Sequence, residues 1–124
     1  MSGARVIGIG NLQRGDDAAG RLVARRLAEI DPALDVIELA GEASALIERL
    51  GRLDAAYLVD ACRSGRAAGT VVRFDAGQAA LPADMLSWSS HGLGLNEAIE
   101  LARALGCLPR RCIVFAIEGQ EFSH

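Results

Sequence analysis

The sequence predicts an α/β protein of the doubly wound pattern, with a five-stranded, mostly parallel sheet and one antiparallel strand. Three observations lead there. Short apolar runs alternate with helical periodicity through the first half of the chain. One connection between two strands is too short for a parallel crossover. The composition is rich in Ala, Leu, Val and Gly and poor in aromatic residues, 4%, which suits thin helices packed close on a sheet.

Residues 4–9, ARVIGI, form a short apolar run ending at glycine, the mark of a buried strand. Asp16 and Asp17 then open a helical pattern in which Ala19, Leu22, Val23, Leu27 and Ile30 share one stripe, and Pro32 lies beyond its end. Residues 34–39, LDVIEL, read as a second strand. Residues 43–50 form a short helix with Leu46, Ile47 and Leu50 on one side. Residues 55–60, AAYLVD, are a third strand ending on a carboxylate.

Residues 69–74, GTVVRF, follow after only ACRSGRAA. A parallel crossover needs a dozen residues or more, so this strand is predicted antiparallel and at an edge. Residues 75–90 are irregular, and a loop of that length in a small domain is usually functional or mobile. A helix over 93–105 carries Leu95, Ala98, Ile99, Ala102 and Leu105 on one face, and Gly106 and Pro109 stop it. Residues 112–117, CIVFAI, are the last strand. The 124 residues are one domain's worth, with no internal repeat or linker.

Composition narrows the function. A net charge of −3 does not attract nucleic acid or anionic lipid. No apolar stretch approaches the ~20 residues that span a bilayer. Cys62, Cys107 and Cys112 are odd in number and contain no CxxC pair, which fits a reducing, cytoplasmic setting better than a disulfide framework. Cys62 either packs or sits as a soft neighbour of a metal.

Three features carry chemistry. The turn GIGNLQRGDDAAG places Gly8 and Gly10 as a dinucleotide fingerprint would, but Gln13 stands where the third glycine belongs. Asp16 and Asp17 would meet a pyrophosphate with two carboxylates, which disfavours a nucleotide-binding domain. One Asp suffices to cap the helix and match its dipole, leaving the other free. Asp60 ends the third strand, at the end of an open α/β sheet where ligands bind, although it could equally cap the following turn. His91, in SSHGLGL, is the one internal histidine, set among glycines that permit close approach. Two carboxylates and an imidazole suit a metal with open positions, or an acid/base set without one.

Together these motifs resemble the hydrogenase maturation protease family. The resemblance runs through GIGNLQRGDDAAG, LVDA, SSHGLGLNEAIELARALG and the closing LPRRCIVFAIEGQEF, in order over nearly the whole chain. It aligns Asp17, Asp60 and His91 with the family's three metal-binding groups, with Gly8, Gly10, Asn11 and Asp16 as the supporting turn. It implies a three-layer α/β/α sandwich on the five-stranded sheet, and an aspartic-type endopeptidase. The implied reaction trims the C-terminal extension of a nickel-iron hydrogenase large-subunit precursor once nickel is in place. The nickel is then carried by the substrate, with no organic cofactor. A metal-sensing binding protein that does not cut is the alternative. The family continues into a C-terminal helix, and this sequence stops at His124, so that helix is expected to be missing.

Overall fold

A computed structural model describes residues 3–12, 15–82 and 94–120. Five strands form one sheet: β1 (Ala4–Ile9), β2 (Val36–Leu39), β3 (Ala55–Cys62), β4 (Val71–Asp75) and β5 (Arg111–Glu118), in the order β2-β1-β3-β5-β4. Pairing is parallel throughout except between β4 and β5. The antiparallel strand expected from the short connection is therefore present, and it lies at an edge. It does not pair with β3. The chain passes over the end of β5 and returns on its far side.

Strand pattern follows position in the sheet. In β3, between two neighbours, the last five residues are all buried. In β4 exposed and half-buried residues alternate, as expected for a strand with one open edge and one wet face. Several boundaries differ from the sequence expectation, β4 for one running over Val71–Asp75 in place of 69–74. β2 starts at Val36, and Leu34 is left 40% exposed outside it. β3 continues past Asp60, because Ala61 and Cys62 still pair with Ile117 and Glu118.

Helices α1 (Ala19–Ile30), α2 (Ala43–Leu50) and α3 (Leu95–Ala104) supply the outer layers. Ile7, Leu58, Cys112 and Val114 on one face of the sheet pack with Leu46 and Leu50 of α2 and Ile99 and Ala102 of α3. On the other face α1 lies close, because Gly8 has no side chain: a Cβ there would sit 2.5 Å from that of Ala24. α3 ends in a Schellman motif. Gly106, at φ +74°, takes the left-handed position, and the amides of Gly106 and Cys107 reach Arg103 O (3.2 Å) and Ala102 O (2.8 Å). At its start the Gly94 amide donates to Glu97 Oε1 at 2.8 Å.

One local expectation is corrected. Asp16 and Asp17 do not begin the α-helix. They lie in a separate 3-10 turn, Gly15–Ala18, and the N-cap position of α1 is Ala18, which has no capping side chain. Among the described residues, no helix is long and apolar enough to cross a membrane.

Candidate active site

The carboxyl end of the sheet gathers acidic groups that water hardly reaches. Asp17 is 3% exposed, Asp60 4% and Glu118 4%. Burying a carboxylate is costly unless polar partners compensate, so three at one end of a small sheet mark a built site.

The turn after β1 sets Asp17. Gly10 takes φ +155°, and a Cβ there would run into the carbonyl oxygen of Asp17. The turn can therefore fold tightly over the 3-10 segment only with glycine at this position. The Gly10 amide donates to Leu39 O at 3.1 Å, fixing the turn to β2. The Asn11 amide donates to Asp17 Oδ2 at 3.2 Å. The GxGN sequence thus serves close packing and carboxylate placement.

Asp60 sits near the end of β3, which pairs directly with β1. Its side chain is on the α3 side of the sheet, in step with Ala56 and Leu58 of the core. It lines a small space with Cys62, Phe74 and the first residues of α3, Leu95 and Asn96. Gly20, three residues after Asp17, packs against the carbonyl oxygens of Ile9 and Val59, and Val59 precedes Asp60. The two expected carboxylates therefore occupy the same end of adjacent strands, linked by one tight helix-strand contact. His91 lies outside the described residues. Among the described residues, no group of three or more His, Cys, Asp or Glu side chains is arranged to hold a metal ion.

Asp16 lies beside Asp17 in the 3-10 turn. Its Oδ2 accepts a 2.8 Å hydrogen bond from the Gln120 amide, tying the 3-10 turn to the chain leaving β5.

Glu118 is a buried acid that the sequence reading does not single out. The available signal is an acid at a core-facing position of a strand, in step with Cys112, Val114 and Ala116. Burial acts to raise its pKa, yet hydrogen bonds from Ser64, Gly65 and Cys62 outweigh that and hold the carboxyl below the ordinary glutamate range. The Cys62 thiol is pushed up to about 11, by burial first and then by the negative Glu118 and Asp60 nearby. A thiol so disfavoured as thiolate is a poor nucleophile at neutral pH. The Cys62 side chain packs with Ala116 and Phe74.

The family model for hydrogenase maturation protease matches residues 21–124. The chain belongs to the hydrogenase maturation protease family. It is accordingly an endopeptidase. The matched span starts after Asp17, so it includes Asp60 and His91 but not the GxGN turn. Solved structures agree over almost the whole chain. The [NiFe] hydrogenase maturation protease HybD from Thermococcus kodakarensis superimposes with a TM-score of 0.72 at 24% identity, covering 99% of this chain and 83% of that one. HycI from Thermococcus kodakarensis KOD1 gives 0.68 at 27% identity, covering 98% and 76%. The maturating endopeptidase HybD from E. coli gives 0.69 at 21%, covering 99% and 77%. No curated protein matched the sequence.

Proposed function

We propose that this endopeptidase removes the C-terminal extension of a nickel-iron hydrogenase large-subunit precursor after nickel insertion, with Asp17, Asp60 and His91 as its working groups. The observation that carries the reading is the pair of carboxylates, each under 5% exposed, at the carboxyl end of adjacent strands. Peptide hydrolysis needs a base for the attacking water and an acid for the leaving amine. Two carboxylates and an imidazole can supply both. Water adds to the scissile carbonyl carbon as a carboxylate takes its proton. The C–N bond then breaks as the amine is protonated.

Nickel enters as part of the substrate. The three side chains are donors that leave open coordination positions, and two of them are carboxylates, which hold a borderline metal less firmly than thiolates would. Nickel already held by the precursor would complete the set and anchor the peptide beside Asp17 and Asp60. Precursor without nickel would go uncut. We place the protein in the cytoplasm, a setting consistent with three cysteines that are all free thiols.

The test is incubation with nickel-loaded and nickel-free precursor. Cleavage of the loaded form alone supports the reading. Cleavage of both removes the nickel requirement, and nickel-dependent binding without cleavage favours the sensing protein that does not cut. Calorimetric titration with nickel alone should show weak binding. Tight binding would make this a standing metalloenzyme and sink the substrate-metal reading.

A further inference from the structure

The last three described residues form a junction. The Glu118 carboxylate, the Gly119 amide and the Gln120 amide each reach a different segment at the carboxyl end of the sheet. Gly119 N donates to Cys62 O at 3.0 Å, holding the end of β3. Gln120 N donates to Asp16 Oδ2, holding the turn that carries Asp17. Glu118 takes the connection between β3 and β4. Its Oε1 accepts from Ser64 Oγ at 2.5 Å, from Ser64 N at 3.1 Å and from the Cys62 thiol at 3.6 Å. Its Oε2 accepts from Ser64 N at 2.9 Å and Gly65 N at 3.2 Å.

This arrangement is specific to an ionised carboxylate. Each of these partners is a donor, and only an acceptor on both sides satisfies them. The clamped loop begins directly after β3, and Ser64 lies four residues beyond Asp60. Loops that follow the carboxyl ends of strands form the walls of the cleft in open α/β sheets.

We propose that Glu118 is a positioning residue for the cleavage reaction, holding the loop after β3 so that the cleft wall beside Asp60 is set before substrate arrives. This rests on the proposed role of Asp60. The residue makes no contact with the scissile bond; it acts through Ser64, Gly65 and Cys62. Its contribution is preorganisation of geometry, which is realised in the chemical step more than in substrate binding.

The experiment compares Glu118→Gln, Ser64→Ala and Ser64→Thr with the parent enzyme on nickel-loaded precursor. Glu118→Gln keeps the volume but turns a donating NH2 toward donors. It is expected to lower kcat by roughly tenfold or more, with KM within about twofold and Tm within about 4 °C. Ser64 is only half buried, so its variants fold whatever Glu118→Gln does. Ser64→Ala loses the 2.5 Å bond and is expected to lower kcat by about threefold to tenfold at unchanged KM. Ser64→Thr restores the hydroxyl and should recover most of that loss. The proposal is overturned if kcat of Glu118→Gln and of Ser64→Ala stays within twofold of the parent. A loss lying in KM, or a Ser64→Ala loss that Ser64→Thr does not repair, overturns it too. Asp60→Asn serves as the control. If it is inert while Glu118→Gln is fully active, only the positioning role fails. If Asp60→Asn cleaves normally, the site reading fails and this inference falls with it.

Discussion

At the carboxyl end of the sheet, Asp17, Asp60 and Glu118 are all less than 5% exposed. At the amino end, Asp35 and Glu48 have side chains 52% and 65% exposed, in ion pairs with Arg5 and Arg52. Among the described residues, the hollows are distributed the other way. Two open ones, of about 490 and 460 Å³, lie at the amino end, against the α3–β5 loop and the start of β1. The space beside Asp60 is far smaller. Size and charge burial therefore point to opposite ends. Charge burial is the stronger guide. A hollow between loop ends costs little to form, whereas a buried carboxylate must be compensated by the surrounding structure.

The most direct way to break this comparison is to neutralise the buried acids. Asp17→Asn and Asp60→Asn each keep size and shape. Each is expected to lower the precursor cleavage rate by about a hundredfold or more, while circular dichroism and Tm show an intact fold. His91→Ala is expected to do the same. Asp16→Asn should be milder, since an amide oxygen can still accept from Gln120. Equal loss from Asp16→Asn would move the working carboxylate to Asp16.

The next largest effect is on stability. Gly20→Ala would drive a methyl group into the carbonyl oxygens of Ile9 and Val59, which belong to two strands and cannot give way cheaply. We expect a loss of about 1–3 kcal/mol, read by denaturant unfolding, with cleavage falling because α1 and the Asp17 turn move off β3. A variant as stable as the parent would show that this contact does not link the two halves of the site.

How much of this is legible in the sequence differs by element. Residues 4–9 read as β1 without error, because an apolar run bounded by glycine has few other uses. The direction of β4 follows from connection length alone. The sequence pattern ends β3 at Asp60, since a carboxylate looks like a strand terminator, yet pairing with β5 carries the strand to Cys62. The positions of Asp17 and Asp60 at one end of the sheet follow from strand order and polarity. The partners of Asp16 and Glu118 do not, because they lie 104 and 54 residues away in sequence. Such contacts exist only once β5 is inserted between β3 and β4, an order no local pattern encodes.

On the rim of the α1 layer, Glu38 accepts from Arg25 at 2.8 Å and from Arg21 at 2.9 Å, and Arg21 also reaches Gly10 O at 3.5 Å. Arg25, against opposing burial, and then Arg21 hold the Glu38 carboxyl below its ordinary range. A depressed folded-state pKa gives stability that is present above the unfolded value, ~4.3, and lost as pH falls through the folded one. Glu38→Gln should therefore lower Tm by roughly 2–5 °C at pH 7, and the gap should narrow as pH falls below the unfolded value and through the depressed folded one. A gap that persists in acid would mean the loss comes from packing.

The smallest effects belong at the amino end. Arg5→Ala and Arg52→Ala each remove an exposed ion pair, 2.9 and 3.5 Å long. Pairs of this kind contribute about 0–1 kcal/mol and are screened by salt. Arg52 also lines the hollow of about 460 Å³, so the variant opens that surface. We expect Tm to move by no more than a few degrees and cleavage of nickel-loaded precursor to stay at the parent rate. The pair of variants sharpens the comparison because a charged group is then removed at each end of the sheet. If Arg52→Ala slows cleavage tenfold without unfolding, the precursor must reach the amino end. The larger hollows would then be docking surface, and cavity size would be a better guide to function in this fold than charge burial.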